Sequence, residues 1–79
     1  MRWHFRELQT PQLYRTWVPM PEHIRTATQA KRYATKKQTF QGAVLEIRRS
    51  PEGSPRLDDA GDWQKHGRRW VENNRYLTI

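Results

Sequence analysis

Two periodicities alternate along the chain. Between Trp3 and Leu8, Trp3 and Phe5 alternate with His4 and Arg6, the two-residue period of a β-strand with one face in a core. Thr10-Pro11 ends that run. Leu13 to Val18, rich in aromatic and β-branched residues, reads as a second strand. Pro19-Met20-Pro21 lacks two backbone donors, so it stops the ladder and opens an extended loop. From Thr26 the period changes to that of a helix. Thr26 and Gln29 stand in the S/T-x-x-E/Q relation of a capping box, which predicts a helix from Ala27 to about Gln38. At about 100° per residue, Ala27, Ala30, Tyr33 and Ala34 gather on one side, and Thr28, Lys31, Arg32, Thr35 and Lys36 on the other. Lys37 falls near the apolar side. It lies in the last turn, where its stem can snorkel and its charge suits the helix dipole.

The two-residue period returns after a Phe40-Gln41-Gly42 link. Ala43, Leu45 and Ile47 alternate with Val44, Glu46 and Arg48, the clearest strand in the chain, with the odd positions expected toward the helix. Ser50 to Pro55 (SPEGSP) is a turn-and-loop signal. Beyond it, a strand near Trp63 can pair with Arg69 to Val71 across Lys65-His66-Gly67, and Arg75 to Ile79 can add an edge strand. One helix among strands predicts an α+β fold: an antiparallel sheet of four to five strands, a helix over about residues 27–38 on one face, and the other face partly open. With 79 residues there is room for one core, so residues 1–79 read as a single domain.

Charge changes this picture more than composition does. Fifteen basic residues against eight acidic ones give +7, which favours an anionic partner. The distribution is patterned: residues 28–49 carry six basic and one acidic residue, 52–62 one basic and four acidic, and 64–76 four basic and one acidic. Lys31, Arg32, Lys36 and Lys37 fall within seven positions, and Arg48 and Arg49 follow on the next strand. These six are the candidate nucleic-acid-binding residues. The absence of cysteine excludes disulfides and thiolate zinc sites, and points to a reducing compartment. No apolar run reaches the roughly 20 residues of a membrane span, and MRWHFREL lacks the apolar core of a signal peptide.

Catalytic chemistry finds no foothold. His4, His23 and His66 lack metal-ligand spacing and read as surface or strand histidines. Asp58, Asp59 and Asp62 lack the glycine and ligand positions of a calcium loop and read as turn residues. Ser50 and Ser54 have no histidine partner at recognisable spacing. The expectation is a non-enzyme without metal or cofactor. Trp3, Phe5, Trp17 and Trp70 are expected in the core of so small a domain. Phe40, beside polar Gln38 and Gln41, suits either the core or a partner contact.

The stretch Gln29-Ala30-Lys31-Arg32, continuing through Ala34, Lys36, Gln38, Phe40 and Gly42 to Val44 and Ile47, precedes Gly67-x-Arg69-Trp70-Val71. Together these segments resemble small phage anti-CRISPR proteins that inhibit the type I-F surveillance complex. The first 25 residues, the SPEGSPRLDDAGD insert and the tail after Val71 depart from that pattern. The resemblance implies a protein of the bacterial host cytoplasm that binds the crRNA-backbone subunits of a type I Cascade, of type I-F or I-C, and blocks target DNA hybridisation. It assigns partner contacts to Lys31, Arg32, Lys36, Gln38 and Phe40, and non-specific capture of duplex DNA to the basic face. Neither a membrane nor a small-molecule substrate enters that reading. A net-basic chain is no acidic mimic of DNA, so blockade would rest on shape, apolar anchors and local acidic residues. The alternative is a phage nucleic-acid-binding module that tracks phosphates without a protein target.

Overall fold

The computed structural model describes residues 1–10, 13, 14, 16–39, 42–51 and 53–73. In chain order the elements are β1 (Arg2–Thr10), β2 (Leu13–Tyr14), β3 (Val18–Pro19), α1 (Ala27–Lys37), β4 (Val44–Ser50), β5 (Trp63–His66) and β6 (Arg69–Glu72). All pairings are antiparallel in one sheet, with β4 beside β1, then β5, then β6. On the other side of β1, β2 pairs near Leu8 and β3 near Phe5. The expected strand from Leu13 to Val18 is therefore two short segments along one edge. The fold is α+β, as the periodicities predict. The expected strand over Arg75 to Ile79 lies outside the described residues.

Helix α1 starts where the capping box requires. Thr26 Oγ1 accepts from the Gln29 amide at 3.1 Å, and Gln29 Oε1 accepts from the Thr26 and Arg25 amides. It ends at Gln38, whose extended backbone (φ −59°, ψ 128°) cannot continue the helix. Ala30 and Ala34 are fully buried and pack with Trp3, Met20, Ile24, Leu45 and Ile47, so the odd positions of β4 do face the helix. Two alanines let the helix axis lie close to the sheet. Phe5, Ala27, Tyr33, Trp63 and Trp70 flank this core.

The second face of the sheet departs from expectation. It is covered. His4, Arg6 and Glu46, which the alternation assigns to an open face, are 3 %, 3 % and 2 % exposed. Arg6 Nε donates to Glu46 Oε1 at 2.7 Å, while its two terminal nitrogens donate to the carbonyls of Leu57 and Asp59. Trp17 stacks on the same guanidinium at 4.1 Å and donates through Nε1 to the Arg56 carbonyl. Trp17 is buried as expected, but under the loop and outside the cluster packed on the helix. The other Glu46 oxygen accepts from the Gly61 amide and Gln64 Nε2. The insert over 53–62 is thus a lid whose backbone is fastened by hydrogen bonds to the two members of a buried ion pair on the sheet. Gly61 lets it approach: a Cβ there would lie 2.2 Å from Glu46 Cγ.

His4 sits at the edge of this layer, its Nδ1–H donating to the Arg2 carbonyl at 3.3 Å. Burial pushes its imidazole below the ordinary histidine value; the carbonyl bond opposes that shift, and the Arg2 charge adds to it. The hairpin is tighter than expected. Lys65 and His66 belong to β5 and pair with Trp70 and Arg69. Only Gly67-Arg68 remains as the turn, and Gly67 supplies the positive φ of +66° that a two-residue hairpin needs at its first central position.

Candidate functional site

Helix α1 lies alongside β5. Lys31 Nζ stands 3.4 Å from the centroid of the Trp63 ring, and one turn later Thr35 Oγ1 accepts from Lys65 Nζ at 3.2 Å. Residues 31 to 35 and 63 to 65 therefore advance together. The C-terminal end of the helix, with Lys36 and Lys37, points toward the end of the sheet where β5 turns into β6 at Gly67-Arg68. At that end the chain collects Lys31, Arg32, Lys36 and Lys37 from the helix with Lys65, Arg68 and Arg69 from the hairpin. None of the seven forms an ion pair among the described residues, and charge of one sign is left facing solvent.

Sequence reasoning places Lys31 on the helix side away from the core. The structure turns it to the flank, half-buried against Trp63, where a cation–π contact adds about 0.5–2 kcal/mol. Lys37 behaves as the snorkelling argument expects: its Nζ lies 5.6 Å from the Tyr33 ring, which itself meets Phe5 edge-on. Arg32 and Lys36, one turn apart, are exposed. Arg48 and Arg49 do not join them. Arg48 is on the lid side of the sheet, donating to the Ala60 carbonyl, and Arg49 sits opposite Trp3 near the far end of β4. The six candidate cations thus split four and two.

Thr39, just after the helix, is held from β1. Glu7, 4 % exposed, accepts from the Thr39 hydroxyl at 2.6 Å and from the Thr39 amide. Gln38 is half-buried beside this anchor. Gly42, with φ +84°, then turns the chain into β4. Phe40 lies outside the described residues, between the anchored Thr39 and this turn.

Sequence reasoning missed Lys65, Arg68 and Arg69 as members of the basic end. The positive balance over 64–76 was the available signal, but only the β5 register and the Lys65–Thr35 contact bring them to the helix. Glu7 was missed too, because a lone acid at a strand end carries no pattern. Among the described residues no helix is long and apolar enough to cross a membrane. No protein family, no curated protein and no solved structure matches the chain.

Proposed function

We propose that this protein inhibits a type I Cascade, binding its crRNA-backbone subunits through the helix and post-helical link and hindering hybridisation of target DNA. The segment from Gln29 to Ile47, which resembles the inhibitor family, contributes most of helix α1 and the first half of β4. The observation that carries the proposal is the clamp of Glu7 on Thr39. It fixes Thr39 next to the basic helix end, so Gln38 beside it meets a partner with little ordering entropy left to lose, and Phe40, the next residue, is the proposed apolar anchor. Lys31, Arg32 and Lys36 then serve the acidic rim of the partner or captured duplex DNA. The target complex resides in the bacterial cytoplasm, and so would its inhibitor.

The test is pre-incubation with purified type I-F and type I-C Cascade, followed by measurement of target-DNA loading. Reduced loading on at least one complex is expected; unchanged loading on both refutes the proposal. Phe40→Ala, confirmed folded by melting, should raise the off-rate, since losing an aromatic anchor costs about 2 kcal/mol or more. Reversal of Lys31, Arg32 and Lys36 to Glu should instead abolish duplex capture first, each lost phosphate contact lowering the log–log salt slope by about 0.9.

The seven cations at one end, none of them in an ion pair among the described residues, favour a second reading, a module that binds nucleic acid without a protein target. That module would bind duplex alone, with affinity falling steeply as salt rises. A free protein that binds duplex tightly and leaves both complexes untouched would select it.

A further inference from the structure

The sheet ends at β6 in an open edge. Among the described residues β6 pairs with β5 alone, in a register that runs unbroken from Trp63 opposite Glu72 to His66 opposite Arg69. The Asn73 amide donates to the Asp62 carbonyl at 2.8 Å, and the alternation of an antiparallel ladder then turns the backbone groups of Val71 and Arg69 toward β5 as well. Trp70 and Glu72 therefore aim their N–H and C=O groups away from the sheet. Such a row is a template for one more strand. The opposite side of the sheet is less open, since β2 and β3 pair with β1 there and Pro19 brings no donor.

The side chains along this edge select the strand that fits it. Trp70 lies across from Lys65 on the helix face, and Val71 across from Gln64 on the lid face. Trp70 is half-buried and Val71 is 46 % exposed, so the middle of the edge offers one apolar contact on each face. Its turn end is basic. Arg68 and Arg69 are exposed and in no ion pair among the described residues, and the helix face beside the strand carries Lys65, with Lys31 on the Trp63 ring. Glu72 is the one carboxylate of the strand, at its other end. A second copy would bring a net charge of +7 against +7. The chain's own Arg75 to Ile79 would bring an arginine and no acid. A strand carrying carboxylates suits the edge better than either.

We propose that β6 receives an extended segment of an acidic protein as an added antiparallel strand, apolar where it passes Trp70 and Val71 and carrying carboxylates toward its C-terminal end, where it passes Arg68 and Arg69. Backbone pairing supplies the affinity, and the arginines set the direction and the charge of the segment. The edge lies apart from the post-helical link, so the proposal does not depend on the inhibitor reading. It shares Arg68 and Arg69 with the nucleic-acid reading, but it requires a ladder to Trp70 and Glu72 that a phosphate chain, lacking donors, cannot form.

The probe is a synthetic peptide with valine and threonine alternating in its N-terminal half and glutamates in its C-terminal half, titrated into ¹⁵N-labelled protein. The amide signals of Trp70 and Glu72 should move to saturation and their hydrogen exchange should slow. N-methylation then separates a paired strand from a ligand held by charge. Methyl groups on the peptide nitrogens that face β6 should abolish binding, and methyl groups on the alternate nitrogens should leave it. Arg68→Glu/Arg69→Glu, confirmed folded by melting, should weaken binding about tenfold at low salt. A peptide with lysine in place of glutamate should bind more weakly than the acidic one. Signals that stay still at millimolar acidic peptide overturn the proposal. So does equal binding of the two methylated peptides, which would leave attraction by charge alone, or of the acidic and basic peptides. Trp70 and Glu72 amides that already exchange slowly before peptide is added overturn it too: at every protein concentration, the chain itself fills the edge; increasingly as concentration rises, a second copy does.

Discussion

Replacing Glu46 by Gln tests whether the lid is fastened by charge or merely by shape. The substitution keeps the volume and one acceptor but removes the negative charge that faces the Arg6 guanidinium, itself only 3 % exposed. It also sets an amide nitrogen against groups that donate, the Gly61 amide or Gln64 Nε2. Breaking a buried pair by removing one partner costs about 3–5 kcal/mol. Because Gln retains an acceptor for Arg6 Nε, the lower figure of about 3 kcal/mol applies. A domain of this size has about 4–12 kcal/mol in total, at 0.05–0.15 kcal/mol per residue. The loss should lower Tm by about 12–24 °C, taking 4–8 °C per kcal/mol for domains of this size. Urea unfolding followed by tryptophan fluorescence and circular dichroism measures it. The control is Glu22→Gln, which removes the exposed pair with Arg2 and should cost less than about 1 kcal/mol. If Glu46→Gln loses no more than Glu22→Gln, the ion pair is not what holds the lid.

Two further outcomes follow from the packing. Ala30→Trp should destabilise by about 1–3 kcal/mol or more through overpacking between helix and sheet, and a parent-like melt would overturn the helix orientation. His4 should make stability fall on acidification: its folded-state pKa is lowered, so the unfolded chain takes the proton first as pH drops through about 6.5. The stability is fully present above that value and is lost below it until the folded imidazole protonates too. The urea midpoint of the parent should therefore drop between about pH 7.5 and 5.5 more than that of His4→Gln; equal drops would remove His4 from the account.

How much of this was legible in the sequence depends on which signals are local. The helix start was legible because a capping box is four residues long, and the core face of β4 because Leu45 and Ile47 alternate cleanly. The covered second face was not. A buried Arg6–Glu46 pair looks, residue by residue, like an exposed polar stripe, and its burial depends on carbonyls 51 and 53 positions away from Arg6. The run from Leu13 to Val18 kept its strand character but not its continuity. In the candidate site, the helix cations were legible as a charge cluster. The turn of Lys31 onto Trp63 and the arrival of Lys65, Arg68 and Arg69 were not, because they depend on how helix and hairpin lie together.

The lid is gripped by its backbone. Arg6 bonds the carbonyls of Leu57 and Asp59, and Trp17 bonds that of Arg56. Asp59 adds a side-chain bond to the Arg56 amide, while the side chains of Leu57 and Asp58 are exposed and take no part in these hydrogen bonds. A carbonyl is the same whatever residue bears it, so positions 57 and 58 can change their side chains and leave the grip intact. The loop is therefore a place where sequence can drift or be rewritten at little cost to folding, and where a short foreign motif can be displayed on a rigid base.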